Sequence, residues 1–222
     1  MSDRRTTWIQ HNRVRLALHE LQPGAAASFR PLLLLHGLGE STPTSLPTGL
    51  SWPGPVLGLD FTGHGESTLP TGGGYTAEIL VADADAVISR IGSVTIVGRG
   101  LGAYIGLLVT GARPELVRGL ALSDGAGLVG GGTEPGSASI VYPEPGRHAS
   151  PDPYALVELS RDPRPESYVQ NFMDFILDGS DLAEPVNIHT ALHPPWIEAL
   201  LGGPGVSRDP LPVALQRFAG IS

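Results

Sequence analysis

The sequence predicts an α/β architecture: a mostly parallel, doubly wound sheet with helices on both faces. Three observations carry this. Short apolar runs at residues 31–37 ("PLLLLHG") and 54–63 ("GPVLGLDFTG") end in glycine, as buried parallel strands do. Other segments repeat their apolar residues at helical spacing. The two patterns alternate as far as Asp124, the order that βαβ units require.

Composition sets the outer limits. The 222 residues suffice for one domain with a substantial core. With 41% hydrophobic and 16% charged residues the chain is globular, and its surface relies on Gly, Pro, Ser and Thr. The net charge is −8 and every basic side chain is Arg, which argues against nucleic-acid or anionic-membrane partners, since both need a basic patch. The absence of Cys excludes a disulfide framework, a thiolate nucleophile and a Cys-type zinc site. No metal and no cofactor are expected. "MSDRRTTW" lacks an apolar targeting region and no run approaches 18 apolar residues, so a cytoplasmic location is expected.

The elements follow in order. In "NRVRLALHE", Val14, Leu16 and Leu18 alternate with Arg15, Ala17 and His19, the pattern of a half-exposed strand in an opening hairpin. The two glycine-ended strands come next. From Thr76 to Ile91, Leu80, Ala84, Val87, Ile88 and Ile91 mark a helix capped by Thr76, with Asp83 and Asp85 left for solvent. Val94 to Val97 is a β-branched run that reads as a buried strand, followed by a helix from about Leu101 to Ala112 that Pro114 stops. "VRGLALSDGAG" supplies another strand.

Beyond it the character changes. Thirteen of the 21 prolines lie after residue 125, and "GLVGGGTEPGSAS" reads as loop. Helical patterning returns at Pro153–Arg161, Pro165–Leu177 and Pro194–Leu201, and "PVNIHTAL" is the best remaining strand candidate. Residues 1–128 are therefore expected to form the core. Residues 129–222 are expected to form a Pro/Gly-rich, cap-like helical and loop region packed on it, with the last strands of the sheet missing.

"LLLLHGLGE", "LGLDFTGHGEST", "YTAEILVADADAVISRIGSVTIVGRGLGAYIG" and "GARPELVRGLALSD", in this order and spacing, resemble the α/β-hydrolase superfamily, esterase and acyl-hydrolase-like members included, over about Trp8 to Asp124. The resemblance implies an oxyanion loop at His36-Gly37. The amide of Leu38 would be one donor to developing negative charge, and that of Leu101, at a helix N-terminus, the second. His64, within "DFTGHGES", matches a structural turn.

The family's nucleophile elbow is G-x-S-x-G. Here it reads Gly98-Arg99-Gly100-Leu101-Gly102, with Gly100 in the serine position. Glycine has no side chain with which to attack a carbonyl. The family's chain order is serine, acid, histidine, yet no His follows His193. His189 and His193 are the positional candidates for a base, and Asp124 for an acid or a structural carboxylate. Arg99 could pair with Asp124 or hold an anion.

Several functions fit these residues. The first is a non-hydrolytic pseudoenzyme that binds a small apolar or carbonyl-bearing ligand at Gly37, Leu38, Arg99 and Leu101. The second is an active ester or C–C bond hydrolase with displaced groups drawn from His64, Ser67, Ser123, Asp124, His189 and His193, or a hydrolase disabled by a Ser-to-Gly substitution. Gly98, Gly100 and Ala103 also fit the G-x-G-x-x-A dinucleotide fingerprint, with Asp124 at a plausible distance for a ribose hydroxyl, although that motif normally opens its βαβ unit. A structural subunit, as a homodimer or beside another protein, is the fourth.

Overall fold

The computed structural model describes residues 5–24, 29–131 and 149–220. Part of the loop predicted from "GLVGGGTEPGSAS" lies outside the described residues. The chain opens with a hairpin, β1 (Arg5–His11) and β2 (Val14–Gln22), whose turn uses Asn12 at φ 53°. Then come β3 (Leu32–Leu35), β4 (Val56–Asp60), α1 (Ala77–Ile91), β5 (Val94–Arg99), α2 (Leu101–Ala112) and β6 (Val117–Ser123). The second half supplies α3 (Pro153–Arg161), α4 (Glu166–Gly179), β7 (Val186–His189), α5 (Pro195–Glu198), β8 (Val206–Ser207) and α6 (Leu211–Ala219).

All eight strands join one sheet in the order β1-β2-β4-β3-β5-β6-β7-β8. β2 is antiparallel to β1 and β4, and every pairing from β4 through β3 to β8 is parallel. One face buries Leu33, Leu35, Ile96 and Leu120 against α1, α2, α4 and α5. The other buries Leu32, Leu34, Val97 and Ala121 beneath Ala214, Leu215 and Phe218 of α6, with Leu50 and Trp52 from the loop after β3. The predicted α/β sheet, mostly parallel and covered on both sides, is the fold observed.

Several expectations need correction. The last strands are present: β7 and β8 extend the sheet beyond β6. β7 falls within the candidate "PVNIHTAL", and β8, two residues long, is too short to display the period that would identify a strand. Residues 149–220 likewise complete the sheet and both helical layers, rather than forming only a cap over residues 1–128. The final residues add a further helix, α6.

Asp83 is buried, not solvent-facing: its Oδ2 accepts the Thr62 amide at 2.8 Å, and Oδ1 stands 3.5 Å from His11 Nδ1. Burial pushes its carboxyl above the usual range. Thr76 occupies the N-cap of α1, but its side chain makes no capping bond, and Asp162 Oδ2 accepts the Ala77 amide at 2.6 Å instead. In β2, Ala17 and His19 are buried along with Leu16 and Leu18: the second face is covered as well, where His19 meets Asp60, a carboxylate that also accepts the Glu66 amide of the turn after β4.

Candidate functional site

β5 and α2 meet at Gly100, which adopts φ 57° and ψ −119°. That conformation is strained for any residue with a Cβ. The glycines on either side let α2 pack tightly: a Cβ on Gly98 would lie 2.3 Å from the Gly102 carbonyl, and one on Gly102 would lie 2.3 Å from the Leu35 carbonyl. The local sequence thus builds a sharp strand-to-helix turn at the carboxyl ends of β3 and β5.

The space over that turn is filled by the protein's own backbone. The amides of Leu38 and Leu101 both donate to the carbonyl oxygen of Ala126, each at 2.9 Å. A Cβ on Gly100 would lie 2.1 Å from that oxygen and 2.6 Å from the Gly125 carbonyl carbon. A Cβ on Gly37 would also approach it, at 2.9 Å. The neighbouring helix-start amides are occupied too, Gly102 donating to His36 O at 3.1 Å and Ala103 to Gly100 O at 3.0 Å. A carbonyl oxygen at the positive end of α2 gains from the helix dipole as a substrate oxygen would. Gly125 and Gly127 flank Ala126, and a Cβ at either would strike Arg99 or Leu38, so the segment reaches this position because glycine stands on both sides of residue 126. The sequence held a sign of this in "SDGAG".

The other predicted residues scatter into structural roles. Asp124 accepts the amides of Ala191 at 2.7 Å and Leu192 at 3.2 Å, which ties β6 to the turn after β7. Arg99 does not pair with the Asp124 carboxylate. Its Nε donates to both carboxylate oxygens of Glu40, at 2.9 and 3.1 Å, and its Nη1 to the main-chain carbonyl of Asp124 at 2.9 Å. His189 is exposed, and His193 Nε2 lies 3.1 Å from the Thr190 carbonyl.

His64 is fully buried, with Nε2 accepting the Gly39 amide at 3.2 Å. Burial, then the neighbouring His36, pulls its pKa down to about 3. His36 is also buried and lowered, and its Nε2 accepts the Phe61 amide at 3.1 Å. Ser67 Oγ donates to the Asp60 carbonyl and Ser123 Oγ to that of Gly98. Among the described residues, no serine hydroxyl bonds to His36, His64, His189 or His193.

The dinucleotide reading of Gly98, Gly100 and Ala103 also meets an obstacle. Ala126 stands where a pyrophosphate would lie over Gly100, and the Asp124 carboxylate is engaged elsewhere. Among the described residues no group of three or more His, Asp or Glu could hold a metal. No helix among them is long and apolar enough to cross a membrane.

Sequence reasoning missed two features. One is a buried hydrogen-bonded pair, His19 Nε2 to Asp60 Oδ2 at 2.9 Å, beneath the turn that carries His64. Burial would raise Asp60, but bonds from His19 and the Glu66 and Thr42 amides hold it well below the carboxylate range. The other is a cavity of about 390 Å³ beside the elbow on the α6 face, walled by Leu34, Val97, Leu50, Pro47 and Leu211, with Arg99 and Glu40 among its lining. A recess of about 580 Å³ lies apart, between the β1–β2 turn and α1.

No family model and no curated protein matches this chain. Solved structures do. A point mutant of the haloalkane dehalogenase DatA from Agrobacterium tumefaciens C58 superposes with a TM-score of 0.58 at 18% identity, over 86% of this chain and 80% of that one. A membrane phospholipase A, a bacterial virulence factor, gives 0.55 at 17%, over 92% and 77%. VinJ matches at 25% identity with a TM-score of 0.47, over 55% of this chain, and the match spans only 44% of the length of VinJ. The fold of this chain is that of the α/β hydrolases.

Proposed function

We propose that this chain is an α/β-hydrolase-fold protein that does not carry out serine acyl transfer and instead binds a small apolar or carbonyl-bearing molecule. The observation behind this is the Ala126 carbonyl, which takes both amides that the resemblance assigns to an oxyanion, directly over a glycine in the nucleophile position. Acyl transfer needs an attacking group, a base and donors free to meet the developing charge. At this elbow the first is absent and the third are occupied.

The known hydrolases of this fold place their chemistry at the same turn, so the proposal is tested there. The protein should hydrolyse p-nitrophenyl acetate and butyrate no faster than a heat-denatured sample does. It should also take no label from a fluorophosphonate probe. A labelled serine mapped by mass spectrometry to any residue lining the elbow would overturn the reading.

A further inference from the structure

Building on that non-catalytic reading, we propose that the ligand seat is the cavity of about 390 Å³ on the α6 face, and that it takes a neutral molecule with a carbonyl group anchored on Arg99 and an apolar body along Leu34, Val97 and Leu211. Its volume falls at the lower end of the roughly 300–1,000 Å³ usual for small-molecule sites. A macromolecule is not what it fits.

The cavity has a structural cause. β3 and β4 are parallel neighbours, a connection that usually carries a helix over the sheet. Here residues 36–55 contain none, so Leu50 and Trp52 of this loop, with α6, are what cover the ends of β3 and β5. The sheet face at Leu34 and Val97 is left incompletely roofed.

Arg99 supplies the polar anchor. It ends β5 with its side chain 56% exposed, and bonds to Glu40 and to the Asp124 carbonyl fix the plane of the guanidinium. Its Nη2 makes no hydrogen bond among the described residues, so donors remain for an acceptor brought in by a ligand.

The charge of that acceptor follows from Glu40. A carboxylate approaching Arg99 would meet a carboxylate 2.9 Å from the same guanidinium, whereas a neutral carbonyl oxygen accepts without that repulsion. An ammonium would face the guanidinium itself. The elbow offers no alternative anchor, since its two amides are taken by Ala126.

The test is a titration with 2-octanone, followed by ¹H–¹⁵N NMR. Saturable shifts should appear at Arg99 Nε–H, Val97, Leu50 and Leu211, and octanoate should bind at least about tenfold more weakly. Arg99→Leu should weaken 2-octanone by about tenfold. Leu211→Trp, at the first residue of α6, should fill the mouth and abolish saturable shifts while the melting temperature stays within a few degrees. Octanoate binding as tightly as 2-octanone, shifts confined to Leu38, Gly100 and Leu101, or Leu211→Trp binding like the parent would each overturn the seat. Ester turnover measured on the same samples separates the two readings: turnover refutes the non-catalytic one, while absence of both turnover and 2-octanone binding refutes the seat alone.

Discussion

Replacing Gly100 with Ser restores the family's nucleophile in name and should damage this protein. The new Cβ would begin 2.1 Å from Ala126 O and 2.8 Å from Ala126 N, both main-chain atoms that no rotamer change can move. Relief requires Gly125–Gly127 to lift, which breaks the bonds from Leu38 and Leu101, worth about 0.5–1.5 kcal/mol each. Holding a side chain at φ 57° costs about 1–3 kcal/mol more.

The sum is about 2–6 kcal/mol, a large part of the roughly 5–15 kcal/mol that holds a domain together. Urea unfolding followed by the fluorescence of the buried Trp52 and Trp196 measures it. Gly100→Ala should lose nearly as much, since the obstacle is the Cβ and not the hydroxyl. Ala126→Gly in the same chain should not rescue either variant, because the clash is with the carbonyl. Ester turnover should stay absent throughout. If Gly100→Ser unfolds within about 0.5 kcal/mol of the parent, the size usual for a neutral surface change, the sealed elbow is refuted.

Stability should fall as pH drops from 6.5 toward 5. The folded-state pKa of His64 is depressed to about 3 and that of His36 is also lowered, so below 6.5 these two sites bind more protons in the unfolded chain than in the folded one, which outweighs the opposite contribution of the raised Asp83 carboxyl. For His64 alone the loss at pH 5 is about 2 kcal/mol, at about 1.4 kcal/mol per unit. Asp60, whose folded pKa is depressed, contributes stability that is lost only below the carboxylate range, so its loss comes at more acid pH. A urea midpoint unchanged between pH 7 and 5 would contradict this. Asp124→Ala frees the amides of Ala191 and Leu192 and should destabilise by about 1–3 kcal/mol while leaving 2-octanone affinity within about twofold, checked by the same unfolding and titration assays.

The strands and helices through Ser123 were legible because each is a local pattern: a β-branched run at Val94–Val97, a helical period from Leu80 to Ile91, and glycines where strand turns into helix. β7 showed only as the short candidate "PVNIHTAL", and β8 not at all, because strands of four and two residues have no period and are held by their neighbours. His64 was read as structural from its turn motif, and its buried bond to Gly39 agrees. Asp83 was misread because its helix position looked solvent-facing until the β1–β2 hairpin covered it.

By itself the sequence determined that this turn carries no hydroxyl, since the residue type at position 100 is a covalent fact. Only the tertiary structure decided what stands there instead. Ala126 is distant along the chain from Leu38, and no local propensity makes its carbonyl meet two amides rooted in different strands. That meeting depends on how β3, β5 and β6 align side by side, a long-range packing outcome that spacing along one chain does not encode.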